Sequence, residues 1–280
     1  MTSLDHARLA EQLLTAVLGA GAAIMRHRRA GVAVQHKDDL SPVTAADQEA
    51  EEIVLEALAK AAPGVPVVAE EATSRGETAA QADAFFLVDP LDGTRDFIRG
   101  GTDFTVNIGL VADGVPRFGM IYAPALNQLS MTLGSNRAVE VDITPDARPA
   151  GLADLRLTDI RTREPDLTRL VAVGSRSHST AEDARFKADP RIVDYRSIGS
   201  SLKFGLVARG EADIYPRFGP TCEWDIAAGH AIVLAAGGEV TKVDGTALSY
   251  GKAAERYLNP HFIAWGRSSL MPLFVAKLGL

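Results

Sequence analysis

The chain has a single cysteine, Cys222, among its 280 residues. One cysteine excludes a disulfide within the chain and a zinc site built from several thiolates. The sequence also lacks an excess of positive charge, because its formal net charge is −7. A protein of that charge is not expected to carry the basic surface that binds nucleic acid. An acidic protein can still bind phosphorylated small molecules, provided that metal ions supply local positive charge.

Long apolar runs are scarce as well. The best candidate, Leu13 to Met25, has 13 residues and includes two glycines, whereas a membrane-spanning helix needs about 20 residues. Asp5 and Glu11 interrupt the basic leader that a signal peptide would have. We therefore expect a cytoplasmic protein without a transmembrane segment, with peripheral contact at the cytoplasmic side of the inner membrane left open. Both a monomer and a homodimer are compatible with the sequence.

The composition is that of a globular protein, with 46% hydrophobic and 23% charged residues. Helical spacing of apolar residues predicts a helix over residues 3–29, and a second helix capped by Ser41 with Pro42 in its first turn. Ala112-Asp113-Gly114 predicts a β-hairpin, and residues 268–280 predict a terminal helix. Strands and helices mix throughout, which indicates a layered α/β or α+β fold.

One stretch combines features that suit a metal and a phosphate. Residues 85–94 read FFLVDPLDGT, and their four apolar residues predict a buried strand that stops at Asp89 and the proline after it. Asp92 follows in a tight turn, Gly93 allows close approach of a ligand to the backbone, and Thr94 adds a hydroxyl. Such a group can bind a hard cation and a phosphate. An ordinary Asp-rich turn that caps a helix is the alternative.

Further carboxylates stand at the ends of strands or the starts of helices, at Asp47, Glu70 and Asp225. Two Mg²⁺ ions about 3.5–4 Å apart, held by several carboxylates, can activate water and neutralise a leaving oxygen. These residues converge only if the fold brings them together. Until then, Asp47 can equally be a solvated helix residue.

Four motifs in this order resemble the inositol monophosphatase superfamily. They are SPVTAAD at residues 41–47, EE at 70–71, DPLDGT at 89–94 and EWDIAAG at 223–229. The resemblance spans roughly residues 5–270, and its four spaced motifs make chance agreement improbable.

The superfamily consists of magnesium-dependent, lithium-sensitive phosphatases. The resemblance implies one domain over residues 1–280, with the αβαβα layered sandwich of sugar phosphatases. It further implies two sub-lobes, over about 1–150 for the metal motifs and about 151–280 for specificity and Asp225.

The resemblance also assigns roles to individual residues. The ligands of two or three Mg²⁺ ions would be the carboxylates of Glu70, Asp89, Asp92 and Asp225 and the main-chain carbonyl of Leu91. Asp47 and Thr94 would polarise the attacking water. The amides of Gly93 and Thr94 would hold phosphate at a helix N-terminus, where backbone N–H groups favour anions.

The second half carries three stretches similar to one branch, the bisphosphate nucleotidases of sulfate assimilation. They are SRSH at 175–178, Ser200 with Lys203, and ADIYPR at 212–217. In that branch the serine, the lysine and an arginine, here Arg217, hold the 5′-phosphate side of the nucleotide. The histidine, here His178, lies near the sugar or base. Lys203 as a solvated helix residue and Arg217 as a surface strand residue are the alternatives.

The resemblance thus favours a phosphatase that converts adenosine 3′,5′-bisphosphate to AMP and phosphate, with 3′-phosphoadenylyl sulfate (PAPS) as a further substrate candidate. A broader phosphatase of the superfamily, acting on inositol phosphate, histidinol phosphate or fructose 1,6-bisphosphate, is the first alternative. The second is an inactive nucleotide-binding regulator, disfavoured because every expected carboxylate and Thr94 are present. Lys203 and Arg217 separate the first two hypotheses, since only a substrate with a second phosphate needs them.

Overall fold

The computed structural model describes residues 5–31, 33–36, 42–80, 82–176 and 180–278. Within this part the chain forms alternating layers of helices and β-sheets. The α-helices, in chain order, are α1 (His6–Ala30), α2 (Ala45–Ala61), α3 (Glu70–Ser74), α4 (Thr94–Ile98), α5 (Ala181–Lys187), α6 (Leu202–Ala208), α7 (Glu223–Ala235) and α8 (Met271–Leu278).

The strands fall into two large sheets and two short ribbons. The larger sheet contains, side by side, β3 (Val67–Ala69), β4 (Ala84–Asp92), β5 (Thr105–Ala112), β6 (Val115–Ala123), β7 (Gln128–Gly134), β8 (Arg137–Asp142) and β9 (Thr158–Ile160). The smaller sheet has the order β11 (Ile192–Ile198), β10 (Leu170–Ser175), β12 (Ile214–Arg217), β16 (Phe262–Trp265) and β14 (Glu239–Lys242). The ribbons pair β1 (Val34–His36) with β2 (Pro42–Thr44), and β13 (Thr221–Cys222) with β15 (Leu258–Asn259).

The larger sheet is covered by helices on both faces. On one face, α1 and α2 bury Leu13, Val17 and Val54 in a cluster that includes Phe86 and Ile108 of the sheet. Alternate strand residues point to the opposite face, where α6 and α7 lie against both sheets. Those two helices therefore form a shared middle layer.

The outer face of the smaller sheet is covered by α5 and α8. Phe186 of α5 and Phe274 of α8 stack with their ring centroids 4.9 Å apart, and both pack with Ile214 and Trp265 of the sheet. The full order is helix pair, sheet, helix pair, sheet, helix pair. The predicted αβαβα sandwich is thus confirmed, while the division into sub-lobes at residue 150 stays a prediction.

Helix α1 is longer than the apolar run that the sequence indicated. It has 25 residues, and by length and composition alone it could cross a membrane, which the count of 13 apolar residues did not indicate. Within the protein, 56% of its most apolar window is buried. Leu13, Leu14 and Val17 are among the residues that it packs into the core, which is the pattern of a core helix.

The start of α2 also differs from the prediction. Ser41 lies outside the described residues, and Pro42 lies in β2, where it pairs with His36. The helix begins at Ala45 with Thr44 as its N-cap. The Thr44 hydroxyl accepts from the N–H of Ala46, and Asp47 accepts from the N–H of Thr44 at 2.8 Å. This reciprocal capping box fixes the helix start three residues later than the proline suggested.

The remaining local predictions largely hold. Asp113 and Gly114, both with positive φ, form the two-residue turn between β5 and β6, as a primed hairpin turn requires. The terminal segment is a 3₁₀ turn over Ser268–Leu270 followed by α8, rather than one continuous helix.

Candidate active site

The DPLDGT turn is a bulge at the end of β4. The strand does not stop at Asp89, as the sequence predicted, but runs on to Asp92. Asp89 pairs with Asn107 and Asp92 with Thr105, so β4 uses one residue more than β5 over this stretch. Such an extra residue defines a β-bulge, which bends the strand and redirects its side chains. The Asp89 carboxylate accepts the N–H of Leu91 at 2.9 Å and stabilises the bend.

The bulge opens into a cavity of about 430 Å³ between the two sheets. Most of the residues singled out from the sequence line it. These are Glu70, Asp89, Leu91, Asp92, Gly93, Thr94, Ser200, Lys203, Arg217 and Asp225. The expected convergence of the motifs is therefore present, although they come from both halves of the chain.

The carboxylates in this cavity repel one another. Burial, followed by the charges of Glu70, Asp92 and Asp225, raises the pKa of Asp89 well above its ordinary value. Burial and the charges of Asp92 and Glu70 raise the pKa of Asp225 to about 8. Burial also raises the pKa of Asp92 to about 6, against the lowering effect of the Lys203 charge. A divalent cation would relieve this repulsion, because it favours the ionised form of each group.

The oxygen donors that line the cavity match the way in which proteins usually bind Mg²⁺. Among the described residues, no group of three or more His, Cys, Asp or Glu side chains is placed so that it could hold a metal ion by itself. Mg²⁺ is usually held by one or two carboxylates together with water and substrate phosphate. A set of oxygen donors that lines an open cavity, with raised pKa values at Asp89, Asp92 and Asp225, fits that mode of binding.

Asp47 lies beside the cavity, next to Thr94. The Thr94 hydroxyl is 3.2 Å from Oδ1 of Asp47 and 3.0 Å from the carbonyl oxygen of Leu91. The other oxygen of Asp47 accepts from the N–H and hydroxyl of Thr44, so the capping box of α2 orients this carboxylate. Asp47 is only 2% exposed, and burial is the main cause that raises its pKa. The solvated alternative for Asp47 is wrong.

Gly93 occupies a position that tolerates no side chain. Its φ is +95°, and a Cβ atom there would lie 2.5 Å from the carbonyl oxygen of Asp103. Thr94 begins the short helix α4 directly after it. The glycine of the motif is thus required by both backbone conformation and space.

The proposed second-phosphate residues line the same cavity, but they have protein partners. Lys203 is buried, and its ammonium donates to the carbonyls of Ile198, at 3.2 Å, and Ser200. Burial lowers its pKa to about 8 despite the opposing charge of Asp92. Arg217 donates to the hydroxyl of Thr221 and the carbonyl of Pro220, both at 3.0 Å. The solvated alternative for Lys203 is therefore wrong.

Ser200 has a φ of +47°, an uncommon conformation for a residue with a side chain. The two carbonyl bonds of Lys203 hold the segment around it. His178, the fourth residue assigned to the nucleotide, lies outside the described residues.

Sequence reasoning missed a group of interacting charged residues on the cavity wall, which consists of Asp96, Asp103 and Arg176. Arg176 pairs with Asp103 at 2.7 Å and with Asp96 at 3.3 Å. Arg176 belongs to the quoted SRSH stretch, yet no local pattern indicates that its partners lie some 70 to 80 residues earlier.

The fold and the cavity define an α/β protein with a carboxylate-rich site suited to cation-assisted phosphate chemistry. Comparison with known proteins gives the family. The model of the inositol monophosphatase family matches residues 5–278. The chain belongs to the inositol monophosphatase family, which confirms the resemblance found in its motifs.

Several relatives share one name. The 3′(2′),5′-bisphosphate nucleotidase CysQ of Shigella flexneri is 41% identical over 230 residues, which cover 82% of this chain and 87% of the relative. The CysQ of Salmonella typhimurium is 39% identical over 254 residues, 90% of this chain and 97% of the relative. The crystal structure of CysQ from Bacteroides thetaiotaomicron has a TM-score of 0.72 and 35% identity, covering 91% of this chain and 95% of that one.

Proposed function

We propose that the protein is a Mg²⁺-dependent 3′(2′),5′-bisphosphate nucleotidase. It removes the 3′-phosphate of adenosine 3′,5′-bisphosphate and releases AMP and inorganic phosphate. PAPS, which carries the same 3′-phosphate, is a second substrate in this proposal, and the enzyme acts in sulfate assimilation in the cytoplasm. Support comes from the CysQ relatives at 39–41% identity and from the distribution of charge in the cavity.

That distribution is the observation that carries the proposal. The residues that line the cavity include the carboxylates of Glu70, Asp89, Asp92 and Asp225 and the cationic side chains of Lys203 and Arg217. Metal ions bound by the carboxylates would hold the phosphate that is cleaved. The cationic side chains of Lys203 and Arg217 would hold a second phosphate that stays on the product. An ammonium group has three donors, and two of those of Lys203 reach Ile198 and Ser200, so a phosphate oxygen can take the third.

We assign the metal ligands to Glu70, Asp89, Asp92, Asp225 and the carbonyl of Leu91, for two or three ions. Bound Mg²⁺ would neutralise phosphate charge and lower the pKa of the attacking water. The amides of Gly93 and Thr94 would orient the phosphate at the start of α4.

The proton of the attacking water goes to the pair of Thr94 and Asp47. The Thr94 oxygen accepts a hydrogen bond from water and passes its own hydrogen towards Oδ1 of Asp47, 3.2 Å away. The raised pKa of Asp47, caused mainly by burial, suits a general base. The water oxygen bonds to phosphorus while the bond from phosphorus to the ribose O3′ breaks, and O3′ takes a proton from a solvent water molecule to become the hydroxyl of AMP.

The test is phosphate release from adenosine 3′,5′-bisphosphate, PAPS, inositol 1-phosphate and fructose 1,6-bisphosphate, with MgCl₂, with EDTA, and with added LiCl. We expect the highest kcat/KM for adenosine 3′,5′-bisphosphate, no turnover in EDTA and inhibition by Li⁺. A highest kcat/KM for inositol 1-phosphate would replace the proposal by the broader phosphatase. Tight nucleotide binding without turnover of any substrate would favour the inactive regulator.

A further inference from the structure

Asp103 joins the metal-binding turn to the loop that carries the second-phosphate residues. It lies between α4 and β5, and its carboxylate accepts the N–H of Gly199 at 2.8 Å, across 96 residues of sequence. Gly199 starts the segment 199–203, which we call the specificity loop because it contains Ser200 and Lys203. Asp103 is buried, with 8% of its surface exposed, so this contact is shielded from water.

The fit on both sides of Asp103 leaves no spare room. A Cβ atom at Gly93 would lie 2.5 Å from the Asp103 carbonyl oxygen, and one at Gly199 would lie 2.7 Å from Cβ of Asp103. Two glycines from opposite halves of the chain therefore touch the same residue. Asp103 acts as a spacer of fixed width between the metal turn and the specificity loop, because neither glycine leaves room beside it for one more carbon atom.

Arg176 completes the connection from the other sheet. Its guanidinium donates to Asp103 at 2.7 Å, and its backbone N–H donates to the carbonyl of Ile198 at 3.3 Å. Asp103 in turn donates its own N–H to Asp96 at 2.8 Å. The loop is thus held by a charge-assisted bond from Gly199 to Asp103, of a kind that is stronger than a neutral bond, and the residue before it is held by the backbone bond from Arg176.

A second contact leads from the loop to the metal ligands. The backbone N–H of Ser201 faces Asp92 and favours the ionised form of that carboxylate, which lowers its pKa, and the Ser201 hydroxyl lies 2.7 Å from Oδ1 of Asn107 and 2.8 Å from the hydroxyl of Thr105. The loop therefore has a second anchor at Ser201, which does not depend on the bond between Gly199 and Asp103.

We propose that Asp103 is a positioning residue that sets the distance between the metal turn and the specificity loop, and so selects substrates with two phosphates. The inference rests on the proposed function for the identity of those substrates. A substrate that spans both sites needs them at a fixed separation, whereas a monophosphate uses the metal turn alone. Loss of Asp103 is thus expected to raise KM for the bisphosphate far more than KM for a monophosphate.

The test compares Asp103→Ala with a matched control, Asp194→Ala, in the full-length enzyme. Asp194 also pairs with an arginine, Arg196 at 2.9 Å, but both are exposed on β11 and outside the cavity. For Asp103→Ala we expect KM for adenosine 3′,5′-bisphosphate to rise roughly 10- to 100-fold, the range expected for one charge-assisted bond. We expect kcat/KM for inositol 1-phosphate to change by less than about threefold, and the control to match wild type in both assays.

Hydrogen–deuterium exchange provides a readout that needs no substrate. In Asp103→Ala the Gly199 amide loses its acceptor, so peptides covering the specificity loop should exchange at least about tenfold faster. Peptides covering α7 should not change. Wild-type exchange in the specificity loop would overturn the proposal.

Two further variants keep the test decisive if Asp103→Ala does not fold. Arg176→Gln breaks the ion pair from a side chain that is 48% exposed, and Asp103→Asn keeps an acceptor for Gly199 while removing the charge. Both should shift the substrate ratio in the same direction as Asp103→Ala, by smaller factors. An unchanged ratio in both variants would refute the inference.

The two proposals fail in distinguishable ways. If wild-type enzyme shows no preference for the bisphosphate, the proposed function fails, and the exchange experiment alone then decides whether Asp103 positions the loop. If wild type prefers the bisphosphate and Asp103→Ala keeps that preference, only the role of Asp103 fails.

Discussion

Replacing Asp225 by asparagine should stabilise the metal-free protein while it destroys activity. The amide would keep the shape of the side chain, and its carbonyl oxygen could still accept the N–H of Cys222, which the Asp225 carboxylate accepts at 2.8 Å. The substitution would remove one negative charge from a set that includes Glu70 and Asp92. In the absence of metal that charge is unfavourable, because burial and its neighbours raise the pKa of Asp225 from 3.8 to about 8.

The sign follows from linkage. A carboxyl group whose pKa is raised by folding contributes stability below its unfolded pKa and loses it as the pH rises through the folded pKa. Metal-free wild type should therefore lose stability between about pH 4 and pH 8. One pKa unit corresponds to about 1.4 kcal/mol. Since Asp225 lines an open cavity where water screens charge, we expect a gain of only about 1–3 kcal/mol for Asp225→Asn at pH 8.

The assay is urea unfolding in EDTA at pH 5, 6, 7 and 8, repeated with saturating MgCl₂. Asp194→Asn, on the exposed surface of β11, serves as the control and should stay within about 0.5 kcal/mol of wild type. Mg²⁺ should stabilise wild type more than Asp225→Asn, because it binds the folded state through that carboxylate. A less stable Asp225→Asn in EDTA at pH 8, or the same pH slope as wild type, would refute the electrostatic reasoning.

Three other predictions concern activity and pH. Asp89→Asn and Asp92→Asn should each lower kcat/KM for phosphate release by at least about 10³-fold, as each removes a charge from the metal site; wild-type-like turnover in either would contradict the ligand assignment. Lys203→Ala should raise KM for adenosine 3′,5′-bisphosphate about tenfold or more with little effect on inositol 1-phosphate, and equal effects would favour the broader phosphatase. Burial lowers the pKa of His230 to about 3, so this histidine should make the folded protein less stable as the pH falls from about 6.5 towards 3. Unfolding followed by circular dichroism should show a smaller loss of stability in His230→Gln.

Local patterns were sufficient where a residue's role depends on its neighbours in sequence. The hairpin at Asp113-Gly114 follows from backbone preferences, and α7 begins at Glu223 with carboxylates in its first turn, as its sequence indicates. The family motifs are likewise contiguous, so they could be recognised without knowing the fold.

Local patterns failed where a tertiary contact overrode them. Pro42 is a good first residue for a helix, but β1 pairs with it and the Thr44 capping box starts α2 later. The proline in DPLDGT indicates the end of a strand, yet pairing with Thr105 carries β4 on to Asp92.

Long-range partners could not be predicted from one sequence. The bond from Gly199 to Asp103 crosses 96 residues, and neither residue has a distinctive local pattern. The hydrogen bonds from the Lys203 ammonium to the carbonyls of Ile198 and Ser200 also depend on how the loop folds. The sequence could therefore nominate Lys203 for the second phosphate, but not reveal that it also holds the loop.

The identity of the product tests the central claim most directly. Wild-type enzyme with MgCl₂ is incubated with adenosine 3′,5′-bisphosphate, and the nucleoside monophosphate is identified by chromatography against both isomers. With the carboxylates of the cavity directing cleavage of the 3′-phosphate and Lys203 retaining the 5′-phosphate, the account predicts adenosine 5′-monophosphate and one equivalent of phosphate. Formation of adenosine 3′-monophosphate, or an intact bisphosphate alongside turnover of inositol 1-phosphate, would contradict it.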